Sequence, residues 1–109
     1  MIHRMDFINP EFYPGIGVSV RRGDKWYNKA RVGDTVELTL KGCENPVNSA
    51  KIVGIAYLPF ILIPEQFLSY EHDLTCDNFV GLLEAMKKAY PDFSAEELVT
   101  IVIFMIDSE

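Results

Sequence analysis

The chain has 109 residues, 49% of them hydrophobic and 24% charged, with a formal net charge of −6. This is the size and balance of one globular domain with a single real core, and it excludes a fibrous or intrinsically disordered chain. Two cysteines without CxxC spacing exclude a disulfide scaffold, and no apolar leader follows Met1. The most apolar stretch, residues 55–63, is broken by Pro59 and falls far short of the roughly 20 residues of a spanning helix. A cytoplasmic protein with reduced thiols and no membrane partner is expected.

Residues 1–15, with Pro10, Pro14 and Gly15, read as a loop-rich start with a short helical turn around 11–13. Ile16, Val18 and Val20 then alternate with Gly17, Ser19 and Arg21, the period of a half-buried strand over 16–22. Gly23-Asp24 and Val32-Gly33-Asp34 mark turns around a loop at 25–30. Residues 35–40 form the cleanest strand, with Val36, Leu38 and Leu40 on one face. A polar loop at 43–49 precedes a strand at 50–58, whose Ile52, Gly54 and Ala56 share one face and whose Val53, Ile55 and Tyr57 share the other.

Pro64 opens a short helix over 64–68. Thr75 or Asp77 caps a longer one through Tyr90, where Phe79, Leu82, Leu83, Met86 and Tyr90 make one apolar stripe. Pro91 ends it, and Ser94 with Glu97 has capping-box spacing. Residues 99–106, β-branched and apolar throughout, read as a central strand buried on both faces. No repeat or flexible linker divides the chain, so one α+β domain over 1–109 is expected, its sheet curled into a small β-barrel.

Charge is unevenly placed. Five of the ten basic residues fall within residues 21–31 (Arg21, Arg22, Lys25, Lys29 and Arg31), beside the lone tryptophan, Trp26. On an acidic chain such a segment is not needed for solubility. Guanidinium groups pair with phosphate, and Trp26 and Tyr27 supply stacking surface for a base. The same residues fit a plainer role, with Trp26 in the core and the charges solvating a loop. The acidic total disfavours a dedicated duplex binder and favours a small or single-stranded ligand.

Other groups carry less. Glu71-His72-Asp73 offers an imidazole and two carboxylates, but adjacent residues do not converge on one ion, so no metal is expected and no cofactor is called for. Cys43 and Cys76 lack the surroundings of a nucleophile, and Ser19 sits mid-strand.

Gly15, Arg22 and Gly33-Asp34, with Val18-Ser19-Val20 between, resemble the ASCH domain of the PUA-like superfamily. So does the ending, an amphipathic helix closing in Tyr90-Pro91 followed by the apolar strand from Val99 to Phe104. The resemblance implies a PUA-like barrel of about five strands with two helices, and a cleft suited to RNA, a nucleotide or a nucleoside. Some members look like amidohydrolases of acylated cytidine, built on a lysine, a threonine and a glutamate. Here the lysine's position is Gly17; Ser19 stands near the threonine's place and Glu71 is an imprecise stand-in for the acid.

The reading is therefore a non-catalytic binder of an RNA- or nucleotide-derived ligand through Arg21, Arg22, Lys25 and Trp26, with Lys29 and Arg31 as outer contacts. One alternative is an enzyme acting on a modified nucleoside with Ser19 and Glu71. Another is a homodimeric interaction module using the apolar segment 58–63.

Overall fold

Alternation over Ile2–Phe7 makes strand β1, in which His3, Met5 and Phe7 are buried while Ile2, Arg4 and Asp6 face out. The computed structural model describes residues 1–7, 15–43, 45–70 and 78–106, with 68–70 described by backbone alone. After β1 come β2 (Gly15–Arg22), a single-turn helix α1 (Lys25–Lys29), β3 (Thr35–Leu40) and β4 (Pro46–Pro59). Two 3₁₀ turns follow, at Phe60–Leu62 and Glu65–Tyr70, then helix α2 (Phe79–Ala89) and strand β5 (Leu98–Ile106). The expected turn at 11–13 and the cap candidates Thr75 and Asp77 lie outside the described residues.

The five strands form one mixed sheet in the order β1-β3-β4-β5-β2, with β1 parallel to β3 and every other pair antiparallel. The expected closed barrel does not form, because β1 and β2 remain unpaired edges. A side chain joins them instead. Arg21 of β2 donates from Nη2 to the Asp6 carbonyl of β1 at 2.8 Å, and its guanidinium lies 4.6 Å from the centroid of Phe7. With a guanidinium between them, the two edges stand too far apart for the ~4.8 Å spacing of a backbone ladder.

Each sheet face has its own core. On the first, Phe104, Val102, Ile52, Leu38, Val36, Met5 and Phe7 pack beneath Trp26 and Ala30 of the α1 segment. On the other, Val18, Val20, Val99 and Ile101 meet Leu82 and Met86 of α2 together with Phe60, Ile63 and Phe93. Strand β5 lies between the two cores, buried on both faces as its composition predicts. Asn78 caps α2 by accepting from the Gly81 N–H at 2.8 Å. Glu97 reaches back to the Ser94 N–H at 2.8 Å, closing a turn rather than starting a helix.

Strand β4 corrects the expected faces. Its register with β5 shifts between Ile52, opposite Phe104, and Gly54, opposite Ile103. The extra residue at this bulge puts Ile55 and Tyr57 on the same face as Ile52. That places both beside α1.

Candidate ligand-binding site

Two glycine turns fix α1 across the sheet. Gly23, at φ +77°, donates its N–H to the Leu98 carbonyl at 3.0 Å and accepts from Thr100 Oγ1 at 2.7 Å. Gly33, at φ +97°, donates to the Ile52 carbonyl at 2.8 Å. Asp34 then closes the segment: its Oδ2 accepts the Arg31 N–H at 3.0 Å and contacts buried His3 Nε2 at 2.8 Å. His3 in turn meets Trp26 edge-on, with ring centroids 5.8 Å apart. Its hydrogen bond to His3, foremost, holds the Asp34 carboxyl below its ordinary range. The Gly-Asp pair of the sequence is thus the device that seats the helix.

Trp26 is a core residue, 8% exposed, and covers the first hydrophobic cluster. It does not present a face for stacking. The Lys29 ammonium instead stands 3.9 Å from the Trp26 ring centroid. Partial loss of hydration, then the charges of Lys25 and Arg21, push the Lys29 ammonium below its usual lysine value. Three cations from β2 and α1 therefore feel one another. Among the described residues, neither Lys25 nor Lys29 has a carboxylate partner.

Arg21 and Arg22 part company, because successive strand residues point to opposite faces. Arg21 is held by Ser19, whose buried Oγ accepts from its Nε at 2.8 Å, and by Asp6 and Phe7. Arg22 lies on the α2 side. Its Nε donates to Glu97 at 2.8 Å, its Nη1 to Asp92 at 3.0 Å, and it lies over the rings of Tyr90 and Phe93. These carboxylates push the guanidinium even further above its ordinary value, Asp92 most strongly, and Arg22 in turn pulls both acids down. Its charge is already matched within the fold.

Arg31 is exposed and tied to the end of α1. Its Nη1 donates to the carbonyls of Ala30, Asn28 and Tyr27, at 2.9, 3.2 and 3.4 Å. Beside it opens a half-enclosed cleft of about 340 Å³, lined by Tyr27, Asn28, Ala30, Arg31 and Ile55. Tyr27 stacks on Tyr57 at 5.4 Å and 25°. Asn28, Ile55 and Tyr57 are not among the site residues expected from the sequence; the β4 bulge that brings the last two here is signalled there only by Gly54, a lone glycine inside a strand.

Gly17 packs directly under Phe104, opposite it in register, and a Cβ there would lie 2.6 Å from the ring. Glu71 lies outside the described residues. Among those described, no group of three or more His, Cys, Asp or Glu could hold a metal, and no helix is long and apolar enough to cross a membrane. The 58–63 segment divides: Phe60 and Ile63 are core, whereas Ile61 and Leu62 are 55% and 64% exposed.

No family profile and no curated protein matches the sequence. In three dimensions the chain is similar to the crystal structure of an ASCH domain from Lactobacillus crispatus JV V101, with a TM-score of 0.66 at 16% identity. The match covers 83% of this chain and 63% of that one, so this chain spans less than two thirds of its neighbour's length. An α+β sheet of five strands with two helices, overlaid at that score, has the fold of an ASCH domain.

Proposed function

We propose that this ASCH-fold domain binds an RNA- or nucleotide-derived anion on the flank formed by Arg21, Lys25 and Lys29, without catalysing a reaction. The observation that carries the reading is that Lys25 and Lys29 stand one helical turn apart on the same flank of α1, just after Arg21 at the end of β2, on an acidic chain and with no carboxylate partner for either lysine among the described residues. Placing like charges together costs stability unless an anion offsets it, and a phosphate does so. The nucleic-acid class follows from the ASCH resemblance and from Tyr27, the exposed aromatic ring within the charged segment.

The absence of chemistry rests on Gly17. The residue in the position of the family's lysine has no room for a side chain beneath Phe104. Ser19 is 4% exposed and its oxygen is occupied by Arg21, with no base against it among the described residues. Arg22 keeps a structural role in this reading, and Arg31 an outer one.

Trp26 reports on the site because Lys29 touches its ring. Titration with a short single-stranded RNA is expected to change Trp26 emission saturably, with binding lost on Lys29→Glu and on Lys25→Glu. Emission that stays flat through millimolar oligonucleotide, or binding indifferent to both substitutions, removes the proposal.

A second reading is self-association through Ile61 and Leu62, which the fold leaves exposed next to a buried segment. Light scattering over a concentration series decides it: a mass fixed at one chain ends that reading.

A further inference from the structure

The flank of α1 opposite the lysines bears its own recognition surface. At about 100° per residue, Tyr27 stands on the far side of the helix from Lys25 and Lys29. There the 340 Å³ cleft combines three kinds of group. Tyr27 is 44% exposed, and its ring is held in place by stacking on Tyr57. Asn28 carries a side-chain amide with no hydrogen bond among the described residues, and is itself exposed. Arg31 is anchored through Nη1 alone, leaving Nε and Nη2 without acceptors among the described residues. Ile55 and Ala30 supply apolar wall.

We infer that this cleft is a nucleobase subsite, which stacks an unpaired base on Tyr27 and reads its polar edge with Asn28 and Arg31. The inference rests on the ligand class proposed above and extends it to a second place on the helix. A rigid aromatic ring, a planar amide and a guanidinium fork are the groups that grip splayed bases of single strands. An acidic peptide would use the fork but leave the ring and the amide without matched partners. The helix is about 10–12 Å across, so a mononucleotide does not reach from the cleft to Lys25 and Lys29. The occupant is accordingly a single-stranded segment of at least two nucleotides, its base in the cleft and a neighbouring phosphate on the lysine flank.

The test compares a short oligoribonucleotide with an abasic oligomer of the same length and charge, using the whole chain and following backbone amide shifts by NMR. The base-containing strand is expected to bind more tightly by at least about fivefold, the lower end of one stacked base. It should shift the amides of Tyr27, Asn28 and Ile55. Tyr27→Leu abolishes the advantage, and Tyr27→Phe, which keeps the ring, preserves it. Lys29→Glu weakens both strands alike. Equal binding of the two strands, or an advantage that survives Tyr27→Leu, overturns the base subsite while leaving the lysine flank standing. No binding of either strand overturns both.

Discussion

The ring of Phe104 lies against the backbone of Gly17, its partner across β2 and β5, close enough that a methyl group there would stand 2.6 Å from it. An aromatic ring laid over a glycine fills the gap the missing side chain leaves in a sheet. Phe104 is fully buried among Met5, Phe7 and Val102, so it has little room to retreat. Gly17→Ala is expected to lower stability by about 1–3 kcal/mol, the usual range for overpacking a core. Thermal unfolding checks it, and Phe104→Leu in the same chain should recover part of the loss. A Gly17→Lys protein of full stability would show that the ring does not occupy this space.

The Arg22 cluster predicts an opposite pattern of stability and binding. Arg22 holds the carboxyls of Asp92 and Glu97 below their ordinary values. Groups with folded pKa values below their unfolded ones contribute stability that is present above the unfolded values. That contribution is lost as pH falls through the folded ones. Arg22→Gln is therefore expected to lower Tm at neutral pH, with the gap to the wild type closing below about pH 4. Its affinity for RNA should be unchanged. A variant that loses binding while keeping its Tm contradicts the assignment.

Lys29 is expected to titrate below the ordinary lysine value. Its folded pKa lies below the unfolded value, so the folded state binds fewer protons between the two and stability rises with pH across that window. Lys25→Ala removes one of the repelling charges and should raise the Lys29 value. Bound oligonucleotide should raise it further, with proton uptake. Side-chain NMR of the Lys29 ammonium measures all three, and a Lys29 that titrates at the ordinary lysine value contradicts the clustering.

Asp34 makes the fourth test. Asp34→Ala removes the acceptor of both His3 and the Arg31 N–H. The α1 segment should loosen, seen as faster amide exchange at Ala30 and Arg31 and a red shift of Trp26 emission. Unaltered exchange there would mean that packing of Trp26 alone seats the helix.

Much of this was legible before folding. The alternation at 16–22 and 35–40 and the β-branched run at 99–106 each gave a strand within a residue of its observed ends. The stripe from Phe79 to Met86 gave α2. Strand β1 replaces the loop expected over residues 1–7: His3, Met5 and Phe7 carry a period of two, but His3, Arg4 and Asp6 and the nearby prolines make the stretch read as polar loop. Helix α1 had no local signal: Asp24 makes no side-chain cap and one turn is below the length at which helices hold alone. Burial of Trp26 and Ala30 makes it.

The site was half legible for the same reason. Clustering in sequence joined Arg21 to Arg22, yet strand geometry separates them to opposite faces. Arg21 and the lysines come within electrostatic reach of one another where Gly23 folds α1 back over β5. Whether Trp26 was core or exposed depended on that crossing, which no residue of the 21–31 stretch announces.

The salt dependence of single-stranded RNA binding tests the central claim most directly. Each phosphate engaged on a single strand contributes a slope of about −0.7 to log K against log salt concentration. Arg21, Lys25 and Lys29 acting together predict a slope of about −2, and Lys29→Glu a shallower slope by about 0.7 or more, with Arg22→Gln leaving it unchanged. A slope near zero, or one that Lys29→Glu does not alter, would contradict the account.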